Sequence, residues 1–308
     1  MLAPAVFVLL WSTGFVGAKY GLPDAEPFTF LALRLLVAGG LLAVAAAATR
    51  TRIDRTHAAR AAVSGLLLHA TYLGGVFWAI AHGTPAGVSA VVVSLQPVLV
   101  AALALPLLGE RLARRQWVGL VLGVTGVVLV VGPHLGGSVP LDGLVSCLVA
   151  LAGGTAGTLW QKRYGDGVPL LWGTCIQYGA ATVVLGLASL AVEDQRIHWT
   201  PRFIGAFAWL VVGLSLGAVL LLMLLLRHGT ASSVSSLLYL VPPATALEAW
   251  LLFDETLAAL SILGVGVTAA GVALAVRGPG RPGDPPSAGR RAGWRNVSAR
   301  IGASGTPG

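Results

Sequence analysis

His82-Gly83-Thr84-Pro85-Ala86-Gly87-Val88-Ser89 recurs 146 residues later as His228-Gly229-Thr230-Ala231-Ser232-Ser233-Val234-Ser235. The same features then follow each copy in the same order. An apolar run carries proline (Gln96-Pro97 and Pro242-Pro243), and an acidic turn closes it (Gly109-Glu110-Arg111-Leu112 and Asp254-Glu255-Thr256-Leu257). A Gly/Val-rich run comes last in both cases. Upstream the correspondence is looser, with Lys19-Tyr20-Gly21 against Lys162-Arg163-Tyr164-Gly165 and Arg34 opposite Gln177. Chance produces one such match, but four in order indicate an internal duplication.

Around these landmarks the chain is apolar. Of its 308 residues 56% are hydrophobic and 10% charged, with mean hydropathy +0.83, whereas soluble domains carry about a quarter charged residues. Ten runs reach or approach the length needed to cross a hydrocarbon core of about 30 Å: 2–21, 28–48, 61–80, 85–107, 116–132, 143–161, 168–192, 203–226, 231–253 and 256–276. They are apolar all round and do not alternate, which argues against a membrane β-barrel. Forty-one glycines suit helices whose backbones approach closely in lipid. The expected fold is therefore an all-α integral membrane protein of ten transmembrane helices, five in each half. An odd number of spans returns the second half to the membrane from the other side, so the repeats have inverted topology. Residues 1–133 form the first repeat and 134–277 the second. Residues 278–308 are rich in Gly, Pro, Ser and Arg, lack apolar periodicity, and read as a disordered cytoplasmic tail.

The net charge of +8 does not point to nucleic acid, because the arginines sit in short clusters between apolar runs and form no basic face. Their distribution gives orientation instead. With both termini cytoplasmic, the inner side collects Arg50, Arg52, Arg55, Arg60, Arg111, Arg114, Arg115, Lys162, Arg163, Arg227 and the tail arginines. The outer loops keep Asp24, Glu26, Asp142, Glu193, Asp194, Asp254 and Glu255. The expected location is the cell membrane, multi-pass, with the lipid bilayer as a partner. The N-terminus lacks a basic region before its apolar run and reads as a retained first span. Cys147 and Cys175 lie inside apolar runs and are too few for a disulfide framework or a zinc site.

The segments GVFWAIAHGTPAGVSAVVVSLQPVLVAALALPLLGERL (75–112) and LLLRHGTASSVSSLLYLVPPATALEAWLLFDETL (224–257) closely resemble the two EamA-type repeats of the drug/metabolite transporter superfamily. The resemblance covers roughly residues 1–277. Two departures stand out: Asp254 replaces the usual glycine of the second turn, and Glu248 charges an otherwise apolar span. The resemblance implies a ten-helix inverted-repeat carrier with a central cavity, moving amino acids, other metabolites or drugs by alternating access.

Ionisable and polar residues within the runs are the candidates for chemistry, since a charge at the bilayer centre costs roughly 3 kcal/mol or more. Arg34 lies about two turns inside the second span, placed either to snorkel outward or to clamp a carboxylate. Glu248 lies at similar depth in the ninth span, suited either to proton binding or to an ion pair with Arg34. His69 and Tyr72, one turn apart in the third span, form a polar stripe that either binds a solute or bonds a neighbouring helix. Gln96 beside Pro97, and Tyr239 before Pro242, occupy corresponding regions of the fourth and ninth spans, where proline frees backbone carbonyls. Trp11 and Ser12 open a polar stretch at the middle of the first span. Trp78 and Trp160 lie near span ends and read as interfacial anchors. Trp11, Ser12, His69, Tyr72, Gln96 and Tyr239, joined by Glu248, are expected to line one central cavity for a small organic solute, with protons as a coupling ion if Glu248 is unpaired. Gly119 and Gly123, with Gly271 and Ala275, are small-residue pairs for packing within the chain or in a homodimer.

Glycine-rich phosphate loops and HExxH zinc motifs are absent from the sequence, so no metal or other cofactor is expected. The reading these features favour is a secondary transporter, an exporter, and not an enzyme. The alternatives are an intramembrane enzyme, for which His69 with Ser215 is the one visible pair, and a non-transporting scaffold.

Overall fold

The computed structural model describes residues 2–49, 51–108, 114–132, 139–218, 221, 240–253 and 259–276. Both acidic turns, the His228–Ser235 repeat, Tyr239 and the 278–308 tail lie outside the described residues. Among those described the architecture is all-helical, with one isolated antiparallel bridge between Ala25 and Ile197.

Among the described residues eleven helical segments follow one another: α1 (Leu2–Gly21), α2 (Pro27–Ala48), α3 (Arg55–Ala81), α4 (Ala86–Val93), α5 (Gln96–Leu108), α6 (Arg114–Val131), α7 (Leu141–Tyr164), α8 (Leu170–Val192), α9 (Pro201–Ala208, continuing through Trp209–Ala218), α10 (Val241–Phe253) and α11 (Ala259–Val276). Proline marks several starts, because its fixed φ and missing N–H cost nothing at a first turn. Pro27 and Pro201 stand in the first turns of α2 and α9, and Pro85, Pro140 and Pro169 immediately precede α4, α7 and α8. Thr200 also caps α9, accepting from the Phe203 amide at 3.1 Å. Among the described residues four helices are long and apolar enough to cross a membrane: α2, α3, α7 and α8.

Two departures from regular helix were not legible as such. The expected fourth span is broken at Ser94 and Leu95 into α4 and α5, where Pro97 has no N–H for the Val93 carbonyl. Within α3 the segment Leu66–Leu73 is a π-helix, and α9 winds the same way over Trp209–Ala218. The Thr71 hydroxyl follows the wider winding, donating to the Leu66 carbonyl five residues back at 3.0 Å.

Large apolar side chains are found on the surface as well as in the core, and polar ones are buried among the core residues. Val44, Leu190 and Val192 are more than two-thirds exposed, while Ser12, Ser89, Thr245, Ser261 and Thr268 are completely buried. In water that surface would be a large unpartnered apolar patch; in hydrocarbon it is the solvated face. With no hydrophobic drive between helices in lipid, close backbone approach holds them. Along α6 and α11 this is plain: a Cβ on Gly126 would fall 2.5 Å from the Thr268 amide nitrogen, and one on Gly271 would fall 2.4 Å from that of Gly123. Gly119, Gly123 and Gly271 are thus used within the chain.

The connections gather at two ends. At one, the α1–α2 and α8–α9 loops meet. Arg202 donates to Asp24 through Nε at 3.0 Å and Nη2 at 2.9 Å, Thr200 Oγ1 donates to the same oxygen at 3.0 Å, and the His198 amide donates to the Asp24 carbonyl at 2.8 Å. Burial pushes the Asp24 carboxyl up, but the Arg202 and Thr200 hydrogen bonds and the positive charges of Arg202 and His198 outweigh it, leaving it below its ordinary value. Beside it Glu193 takes the Phe28 and Thr29 amides, each at 2.8 Å, so that a carboxylate caps the positive end of α2. At the other end of α2 and α8, Trp172 donates to the Thr51 carbonyl at 2.9 Å and Trp160 to that of Arg60 at 3.0 Å. The Arg-rich 51–60 and 160–172 segments share this end.

Candidate functional site

The second and eighth helices pack along one another, and the two π segments join them there. Arg34, on α2, is 3% exposed. It does not snorkel: its Nε donates to Ser215 Oγ, in the α9 π segment, at 3.1 Å. Tyr178, on α8, donates its hydroxyl to the Ser215 carbonyl at 3.3 Å and presents its ring to the edge of His69 at 4.9 Å between centroids. Gln177 faces His69 from the same helix. Gly65 allows this approach, since a Cβ there would lie 2.2 Å from the Gln177 carbonyl oxygen. Two buried atoms of the group have no partner, Arg34 Nη1 and His69 Nδ1.

Glu248 is held elsewhere. Ser12, buried on α1, donates to its Oε1 at 2.6 Å, and also to the Leu9 carbonyl at 3.0 Å. Glu248 Oε2 is buried without a partner. The pairing of Arg34 with Glu248 weighed from the sequence is therefore not formed, each meeting a serine of a neighbouring helix. Trp11 is half-buried next to Ser12, its ring 5.2 Å from that of Phe7.

Tyr72 and Gln96 converge on Gly154 of α7, where a Cβ would stand 2.8 Å from Tyr72 Cδ2 and 2.7 Å from Gln96 Oε1. Gln96 Nε2 donates to the Gly154 carbonyl at 3.1 Å and to Thr158 Oγ1 at 2.7 Å. His69 and Tyr72 do not form the single stripe expected of an α-helix. An α-helix sets residues three apart on one face, but the wider π winding sends His69 toward α8 and Tyr72 toward α7. Trp78 stacks on His82 with ring centroids 3.7 Å apart, and Trp160 packs on Tyr164 at 4.4 Å.

The structure thus brings Ser12 to Glu248, Tyr72 to Gln96, and Arg34 into the surroundings of His69. Sequence reasoning missed Tyr178 and Thr158 entirely. It named Gln177 only as the counterpart of Arg34, and Ser215 only as a partner for His69. The adjacent Gln177-Tyr178 in an apolar run was the available signal. Ser215 Oγ accepts from Arg34, and His69 Nδ1 is buried without a partner. A cleft of about 590 Å³ between α10 and α11, lined by residues including Leu247, Trp250 and Ile262, is apolar and contains none of the candidates.

A helical assembly with an apolar surface and polar groups buried between its helices has a counterpart among known proteins. The model of the EamA-like transporter family matches residues 1–132 and again 143–277. The chain belongs to the EamA-like transporter family. As an EamA protein it is a multi-pass membrane protein of a transporter class, all-helical as expected. It is similar to an uncharacterized transporter YvbV of Bacillus subtilis, 26% identical over 84% of this chain and 85% of that one. An uncharacterized inner membrane transporter of Escherichia coli, YedA, is 28% identical over 89% of each. A probable amino-acid metabolite efflux pump of Salmonella typhimurium is 26% identical over 88% of this chain and 92% of the pump.

Proposed function

We propose that this EamA chain is a secondary transporter that exports a small organic metabolite, such as an amino acid or a drug-like solute. It works by alternating access between two inverted five-helix repeats, with both termini cytoplasmic. One observation carries the reading: among the described residues, polar side chains from most of the helices are buried between them while the outer surface is largely apolar.

The repeat supports it. The spacing that carries His82 onto His228 also carries the π segment of α3 onto that of α9, and His69 onto Ser215. Exchanging the halves pairs α1 with α7, α2 with α8, α3 with α9, α4 and α5 with α10, and α6 with α11. The packing respects that exchange: α1 meets α9 as α7 meets α3, and α1 meets α10 as α7 meets α5. Two halves able to trade roles about a midplane site are what alternating access requires. The name of the Salmonella efflux pump supports export and an amino-acid-like solute. Trp11, Ser12, His69, Tyr72, Gln96 and Tyr239 are proposed to line the solute path, and Glu248 to carry a coupling proton.

The test compares cells with and without the protein for efflux of a metabolite panel. A transporter changes the external concentration of at least one solute. An enzyme would change its chemical identity, and a scaffold would change neither.

A further inference from the structure

Arg34 is a permanent positive charge in the interior of a membrane chain. Its Nε is committed to Ser215, but Nη1 is buried with no acceptor. His69 Nδ1, whose ring packs against that of Tyr178, is also buried and unpartnered. Among the described residues no carboxylate lies within ion-pair distance of Arg34, and Glu248 is engaged by Ser12. A buried charge without a counter-charge is strongly destabilising, as is a polar atom without a partner at membrane depth. An oxyanion arriving from outside the chain supplies acceptor and charge together. Guanidinium matches the planar carboxylate particularly well.

The neighbours are suited to this. Tyr178 has turned its hydroxyl proton to the Ser215 carbonyl, which fixes Ser215 and through it the Arg34 side chain. The duplication sets Arg34 opposite Gln177 and His69 opposite Ser215, so that the two halves contribute unequally and only one supplies a cation. Such a site takes one negative group, in one orientation.

We propose that the buried Arg34 guanidinium, with His69 and Tyr178 around it, binds the carboxylate of the transported solute. This rests on the carrier reading above and narrows it to acids over their uncharged amides.

The test uses purified full-length protein and thermal unfolding at neutral pH with benzoate against benzamide, lactate against lactamide, and inorganic phosphate. The two acids raise the melting temperature of the wild type and their amides do not. Arg34→Gln abolishes the difference, and Arg34→Lys, which keeps the charge without the fork, retains part of it. In flux assays, R34Q raises the half-saturating concentration of an acid substrate by at least about tenfold, the scale of one charge-assisted hydrogen bond. Equal stabilisation by acid and amide, stronger stabilisation by phosphate than by either acid, or acid preference surviving in R34Q would each overturn the assignment. The wild-type comparison stands even if R34Q does not fold. Acid-selective stabilisation without flux of any solute would sink the carrier reading and leave the site, whereas flux without acid selectivity would do the reverse.

Discussion

Glu248 has one oxygen on Ser12 and the other buried without a partner, while Arg34 is taken by a different serine. A carboxyl group free of a counter-charge in the interior can exchange a proton with the two sides in turn, which an ion-paired one resists. Glu248→Gln is therefore expected to flatten the dependence of transport on pH while leaving the protein folded. A rate profile parallel to that of wild type from pH 5 to 8 would eliminate coupling through this residue. Asp24 belongs to the same scale but to stability. Its folded carboxyl lies below the ordinary value of 3.8, so its contribution is complete above that value and is lost as pH falls through the lower folded value. Thermal melting followed from neutral pH to pH 2 should show a steeper acid loss for wild type than for Asp24→Asn. Superimposable acid limbs would show that the Arg202 contact contributes nothing.

Among the elements, α3 determines how the site is assembled. Gly65 lets it lie against the α8 backbone, and the π turn that follows aims His69 at Tyr178. Gly65→Ala would force a Cβ to within 2.2 Å of the Gln177 carbonyl, which only a backbone shift can relieve. The expected cost is about 1–3 kcal/mol of stability, as for other overpacked contacts, with reduced transport at normal expression. Wild-type melting and wild-type flux in this variant would mean that the two helices are not held at that distance. This element also shows what a sequence hides. Its apolar length is readable, because lipid demands it. Its π winding is not, because α and π turns use the same residues, and so the divergence of His69 from Tyr72 had no signature. The break before Gln96 was only half visible, as a proline, and the partners Ser215 and Thr158 were not, because interhelical register leaves no mark on a single chain.

At the scale of the molecule, the membrane class and the family were legible from composition and from the twice-occurring motif; each of the ten apolar runs overlaps a helical segment among the described residues. The proposed topology makes a labelling prediction. Cysteines placed near Arg55 and Lys162 should react from the cytoplasmic side, and those near Asp142 and Asp194 from outside. If positions 55 and 194 label from the same side, the inverted arrangement is wrong. Alternating access itself is tested most directly by counterflow. The full-length protein is reconstituted in liposomes loaded with an unlabelled solute identified by the efflux screen, and the same solute, labelled, is added outside at low concentration. A carrier with one site exposed to each side in turn produces a transient accumulation of label above equilibrium, absent from protein-free vesicles and saturable by excess external solute. Monotonic equilibration without overshoot, or uptake equal to that of empty vesicles, would contradict the account.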